Sequence, residues 1–208
     1  DIHKVKEKYF YEINDSLLGR EMLMVTRIAK TASGLGFGGG KQNTQVLRWQ
    51  IKDNKILLRV VSHNVVASDS LPVNEAVLNS NFEPILYSFK IESKGIDSTS
   101  TLIEVTKLFN EDVKPLGFPQ SRRKGYKISS LNSKKSFIES IKSYPENIES
   151  RHVKTYNSSS PPSNSSTGTI SLEINNSMIL LPKVPMKRRY FDQRVGWFAR
   201  SQVDYGLD

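Results

Sequence analysis

The chain contains no cysteine in its 208 residues, which removes disulfides, thiol nucleophiles and Cys-ligated zinc or iron–sulfur sites together. No stretch reaches the run of about 18 apolar residues that a membrane-crossing helix needs. No G-x-S-x-G elbow sets a serine on a strained turn. There is no H-E-x-x-H either: the three histidines, His3, His63 and His152, are scattered. Zinc sites usually draw two ligands from one local element, because that fixes the geometry at low entropic cost. The chain is therefore expected to hold no metal or other cofactor of its own. Its opening, DIHKVKEKYFYEI, is charged and lacks the apolar stretch of a signal peptide. With the strand-like VGWFARSQVDYG at the far end, it reads as a piece of a longer chain.

What is present is enough for one large domain or two small ones. At this length a chain buries roughly 70% of its unfolded surface and needs no covalent staples. The formal net charge of +9 favours acidic partners without saying anything about fold.

Alternation at period two dominates. In residues 8–13 (KYFYEI), Tyr9, Tyr11 and Ile13 share one face, as a half-buried strand requires. Residues 20–31 are apolar on both faces, which suits a strand covered on both sides. Residues 44–51 and 55–63 flank Lys52-Asp53-Asn54, a hairpin signal whose Asp and Asn tolerate left-handed turn conformations. A second pair, 84–93 and 100–106, flanks a turn-rich segment containing Gly95. Further strands are expected over 147–156, 168–174, 177–181 and 195–203, with Asn175-Asn176 as a hairpin turn. Helical signals are short. Residues 70–78 carry a proline near a first turn. Residues 133–144 (SKKSFIESIKSY) form the best helix candidate: Phe137, Ile138 and Ile141 lie three and four apart, and Pro145 follows. The expected fold is mainly β (β-rich α+β), a twisted antiparallel sandwich or saddle-like sheet with a few short helices, in one domain spanning residues 1–208.

Two segments read as flexible loops, 33–43 and 157–167. The first contains G-x-G-x-x-G at Gly34, Gly36 and Gly39. A dinucleotide fingerprint needs a helix immediately after it, yet KQNTQVLRW continues as a strand. The second, NSSSPPSNSST, has little apolar surface to bury. The densest basic clusters, Arg122-Arg123-Lys124 and Lys187-Arg188-Arg189, have Tyr126, Tyr190 and Phe191 nearby. Solvated loops, or charges facing an acidic surface, explain them better than nucleic acid does. Glu111-Asp112 reads as a carboxylate pair beside a helix start, and Trp49, Trp197 and Phe198 as packing residues. The sequons at Asn14, Asn157 and Asn164 bear on function only in a eukaryotic secreted protein.

Residues 17–31 (LLGREMLMVTRIAKT) and 161–182 (PPSNSSTGTISLEINNSMILLP), with residues 46–73, 79–91, 136–156 and 194–208, closely resemble a family of large zinc-dependent, metzincin-like metalloproteases of Gram-negative bacteria. The resemblance is to a domain of unknown function preceding the catalytic domain. It implies zinc in the parent catalytic domain, held by an H-E-x-x-H-x-x-G-x-x-H motif toward the C-terminus. It also implies a peptide or protein substrate, and a periplasmic, outer-membrane-associated or secreted setting. Nothing here matches that motif, so no ligand or general base carries over. The resulting expectation is an accessory domain that packs on the catalytic domain of the same chain and helps to shape the substrate cleft. Gly36, Phe37, Gly38 and Gly39, with Asn164, Ser165, Ser166, Thr167 and Gly168, are the expected contact residues. The strand pair after residue 168 is expected to offer an edge to an extended peptide. The alternative is a stand-alone basic module for an acidic glycan, an envelope surface or nucleic acid.

Overall fold

In the computed structural model, which describes residues 1–206 apart from 97, 164, 188 and 197, the alternating segments become strands of one sheet. β1 (Ile2–Val5) and β2 (Lys8–Asn14) form a hairpin turning at Lys6, and Tyr9, Tyr11 and Ile13 of β2 are all buried. In β3 (Glu21–Lys30), Met22, Met24, Thr26 and Ile28 are buried on one face and Val25 on the other, as two-sided apolarity predicts. β4 (Lys41–Lys52) and β5 (Lys55–Val61) form the expected hairpin: Lys52 opposes Lys55, and Asp53 takes φ +53°. An excursion through β6 (Val65–Val66) and α1 (Val73–Ser80) follows. Next come the paired β7 (Ile85–Lys94) and β8 (Ser100–Glu104). The short helices α2 (Thr106–Asn110) and α3 (Gln120–Arg123) lead to β9 (Ile128–Leu131), β10 (Phe137–Ser143), β11 (Asn147–Ser158) and β12 (Thr169–Leu180). β13 (Val203–Asp204) pairs in parallel with β6.

The large sheet has eleven strands in the order β1-β2-β8-β7-β5-β4-β3-β12-β11-β10, with β9 beside the far end of β11. It is a single curled sheet. The curl brings opposite ends together around the core, so that Tyr11 Oη of β2 lies 3.3 Å from Ser150 Oγ of β11. α2 fills the gap, packing on β2, β10 and β11. Burying apolar area away from water drives this closure. The concave face carries Leu47, Trp49, Ile56, Leu58, Phe89 and Ile103 against Leu108, Phe109 and Leu116 of the α2 region. A second cluster, Ile28, Leu35, Phe118, Tyr156 and Leu172 among them, closes the other end of the sheet.

Three expectations fail. Residues 133–144 are not a helix: a 3-10 turn over Ser133–Lys135 precedes strand β10. Ile138 opposes His152 and Ser140 opposes Arg151, so Glu139 is the extra residue of a β-bulge. The bulge shifts the phase by one and puts Ile138 and Ile141 on the same face at a helix-like spacing of three. Asn175-Asn176 is not a turn, because β12 runs straight through it with both amides bonded to neighbouring strands. Residues 195–203 are not a strand up to Val203. The backbone N–H groups of Val195 and Gly196 donate to Asp192 O at 3.0 and 2.8 Å, a turn that occupies the donors a ladder would use. Trp197 lies outside the described residues.

Candidate functional site

The two glycine- and serine-rich loops meet at one end of the sheet. β3 and β12 are antiparallel neighbours, with Lys30 opposite Glu173, so the β3–β4 and β11–β12 loops emerge side by side. They touch where Gly34, at φ +82°, leaves room for Pro162: a methyl group on Gly34 would stand 3.0 Å from Pro162 Cβ. Gly36 and Gly39 also hold left-handed φ, and Gly38 passes so close to Ala29 O that a side chain there would collide. The first loop is thus a fixed turn. Ile28 bonds both Gly39 and Gly40 backbone groups, and Leu35 is buried with its carbonyl accepting from Arg122 Nη2 at 2.9 Å. Its tip presents Phe37, 96% exposed. In the second loop, Ser165, Ser166 and Thr167 form an exposed 3-10 turn, and Gly168 O accepts from Ser158 N at 2.9 Å. Asn164 lies outside the described residues. The peptide-accepting edge expected after Gly168 is not there over residues 173–180, where β12 is paired on both sides by β11 and β3. The ends of the sheet order are β1 and β10.

His3 pairs with Glu12 at 2.8 Å and His63 with Glu21 at 3.0 Å, while His152 is buried in β11. Among the described residues, no group of three or more His, Asp or Glu side chains is placed to hold a metal ion. Arg122 and Arg123 are not solvated: Arg123 forks onto Asp112 with two contacts of 2.6 Å, and Arg122 lies over the Tyr126 ring. Lys124, Lys187 and Arg189 are exposed, and Arg188 lies outside the described residues. Glu111 follows the end of α2 and accepts from Tyr87 Oη, so the expected helix-start role is not what the fold uses. Trp49 is core, whereas Phe198 is exposed.

A buried polar layer escaped sequence reasoning. His152, Lys154 and Tyr156 alternate on the core face of β11. His152 Nε2 lies 2.6 Å from Asn176 Oδ1, Asn176 Nδ2 donates to Thr26 Oγ1 at 2.7 Å, and Thr26 donates to Pro115 O at 3.1 Å. Because Asn176 Oδ1 accepts, Nε2 of His152 carries a proton. Burial, with the Lys154 charge beside it, pushes His152 down to about 3, so the ring is neutral at pH 7. Lys154 Nζ donates to Glu111 O at 2.7 Å, and burial pushes this lysine down to about 8. Tyr156 Oη accepts from Phe118 N at 3.0 Å, and burial raises the phenol to about 12. Burial pushes Asp112 upward, but the Arg123 fork outweighs it and holds the carboxyl below its usual value. Every anchor point lies on residues 111–118, so the layer clamps the α2–α3 connection onto the sheet. With His152, Lys154 and Tyr156 closed to solvent, the layer cannot meet a substrate, and its role is structural. The sequence signal was three polar residues two apart in a strand whose cross-strand neighbours are apolar.

Two of the clefts among the described residues border the large sheet. One, of about 500 Å³, lies between α1 and the outer face of β4–β5, lined by Arg48, Gln50, Arg59, His63, Asn74 and Phe82 among others. The other, about 430 Å³, lies at the mouth of the curled sheet between Tyr11, Trp49, Met22, Met178 and the β10–β11 turn.

The fold defines a class: an antiparallel β-rich domain built on one curled sheet. Residues 39–208 match the family described as a domain of unknown function (DUF5117), and the chain belongs to it. Residues 1–31 match a second family, a domain of unknown function (DUF5118). The two matches flank the β3–β4 loop, yet β3 is hydrogen-bonded on both sides to strands of the DUF5117 segment. No curated protein and no solved structure matches the chain.

Proposed function

We propose that this chain is the non-catalytic domain preceding the catalytic domain of a zinc-dependent metallopeptidase, on which it packs and whose substrate cleft it helps to wall. The observation that carries this reading is the segment after β12. There Val184, Met186, Tyr190, Phe191, Val195 and Phe198 are all exposed, Val184 at 83% and Phe198 at 98%. Exposed apolar residues on a soluble domain are normally scattered singly. Six within residues 184–198 form a surface suited to a partner, and the covering domain is taken to be the catalytic domain of the same chain. Lys183, Lys187, Arg189 and Arg200 are interspersed and suit an acidic rim, while Arg194 is paired with Asp192. The residue resemblance supports the peptidase class, with zinc and general base supplied by the catalytic domain in a bacterial envelope setting. Phe37 and the Ser165–Thr167 turn, on two loops that approach each other at Gly34 and Pro162, are the points at which this domain would meet a bound peptide.

The test has two arms. The reading frame of the parent should encode an H-E-x-x-H motif within a few hundred residues after Asp208, and its absence overturns the peptidase class. In the parent protein, residues 184–198 should resist limited proteolysis that cleaves them readily in the isolated 208-residue chain. Equal cleavage in both overturns the packing.

A further inference from the structure

Across three adjacent strands, Lys52 of β4 stands directly opposite Lys55 of β5, and Lys55 directly opposite Lys90 of β7. Residues so opposed hold their Cβ atoms about 4.5–5.5 Å apart, so three exposed ammonium groups form a row. Like charges in direct opposition destabilise a sheet. Edge protection does not explain the row, because β4, β5 and β7 are interior strands of the sheet. Several other strand cations are neutralised: Lys8 by Glu104, Lys30 by Glu173, and Arg48 by Glu21 and Glu83. Among the described residues, only Asp53 approaches the row, 3.9 Å from Lys52, and no carboxylate lies within 4.0 Å of Lys55 or Lys90.

The same outer face continues into the cleft under α1. One step along, Gln50 opposes Leu57 and Leu57 opposes Ser88; two steps along, Arg48 opposes Arg59. Four residues of strand separate the rows, about 13 Å. In the cleft the Arg59 guanidinium lies 4.8 Å from the Phe82 ring centroid, Phe82 is 76% exposed, and Asn74 and Asn79 add amide donors. An exposed aromatic ring among amides and guanidinium groups suits a sugar ring bearing acidic groups. Nucleic acid is disfavoured, since strand binders interleave stacking aromatics with cations and Gln50, Leu57 and Ser88 between the rows are not aromatic.

We propose that the outer face of β4, β5 and β7 binds an acidic polysaccharide, its carboxylates or sulfates over Lys52, Lys55 and Lys90 and a sugar unit beside Arg59 and Phe82. This site is separate from the apolar segment 184–198 and stands or falls independently of the peptidase reading.

The test measures binding of the 208-residue chain to heparin, alginate and a thymidine 20-mer over a range of salt. Two triple variants of equal charge are compared: K52Q/K55Q/K90Q, and K124Q/K134Q/K142Q as a control far from the face. The chain is expected to bind heparin or alginate, and the first triple to weaken binding at least 10-fold. The first triple should also lower the slope of log K against log salt by about two to three, as lost ion contacts require. The control should change affinity less than threefold. As a check on folding, relief of the like-charge row should leave the first triple unfolding at or above the wild-type temperature. Equal weakening by both triples, no binding to either polysaccharide, or tighter binding of the oligothymidine would each overturn the proposal.

Discussion

His152 and Lys154 sit two residues apart on β11 with no exposed surface, and each perturbs stability in its own pH window. The folded chain keeps His152 neutral down to about pH 3, while the unfolded chain protonates it near 6.5. Between those values the unfolded state binds more protons, so stability falls as pH drops through the window, by at most about 5 kcal/mol. His152→Gln keeps an N–H for Asn176 but does not titrate. Its urea midpoint should stay level from pH 6.5 to about 4.5, above the range of ordinary carboxylates, while that of the wild type falls. A level wild-type midpoint there would refute the assignment. Lys154 acts in the same direction but above neutrality, since its folded value of about 8 lies below the ordinary 10.5. The unfolded state holds the extra proton between those values, so stability rises with pH across them. Above about pH 10 the trend reverses. Tyr11, Tyr87 and Tyr156 are held above the ordinary phenol value chiefly by burial, so the unfolded state ionises first. A stability maximum near pH 10 is expected, and Lys154→Met should abolish the rise leading to it. The two-apart spacing placed both residues on one face, but it did not announce their burial, because a lysine is seldom fully buried and a strand alternates its faces without saying which is covered.

At the scale of elements, legibility followed whether local and tertiary signals agreed. The β4–β5 hairpin was readable because alternation on both sides and the Asp53 turn point the same way. β2 was readable because its Tyr9–Tyr11–Ile13 face is uninterrupted. β10 was not, since the Glu139 bulge puts Ile138 and Ile141 in phase at a spacing of three, which also describes a helix. β12 was not, since Asn175 and Asn176 are typical turn residues locally but cross-strand hydrogen-bond partners here, and only the neighbouring strands reveal that. The β3–β4 and β11–β12 loops were readable as loops from Gly and Ser content. Their meeting at Gly34 and Pro162 depends on β3 and β12 being neighbours, which no local pattern encodes. Two predictions belong at this scale. Deleting Glu139 leaves Ile138 and Ile141 two apart, the spacing of a regular strand. The domain should still unfold cooperatively, but a β10 edge without its bulge should self-associate more in sedimentation runs. Loss of the cooperative transition would contradict the bulge. Asn176→Ala removes the link from β11 through β12 to β3 and leaves His152 unpartnered, so it should cost about 2–4 kcal/mol in urea unfolding. A change below about 0.5 kcal/mol would mean the chain of bonds carries no weight.

At the scale of the whole molecule, the eleven-stranded sheet is assembled from two family-matching segments, and that sets its folding unit. Residues 1–31 supply β1, β2 and β3, and β3 lies in mid-sheet between β4 and β12. Without it, β4 loses its partner along Lys41–Arg48 and β12 along Glu173–Leu180, leaving two long rows of backbone donors and acceptors unpaired. Tyr9, Tyr11, Ile13, Met22 and Met24 would also leave the core that Trp49, Ile103 and Phe109 share with them. Losing five buried large side chains, each contributing about 1.5–3 kcal/mol, is comparable to the whole 5–15 kcal/mol that holds a typical domain together. Residues 39–208 alone, although they span the whole DUF5117 match, are therefore expected to lack a cooperative thermal transition and near-ultraviolet dichroism. Adding a peptide of residues 1–31 should restore both, because it returns the partner that β4 and β12 share and the side chains missing from the core. A cooperative transition for 39–208 at the temperature of the full chain would show that the boundary between the two families is also a boundary in folding, and that β3 is an addition to the sheet and not one of its supports.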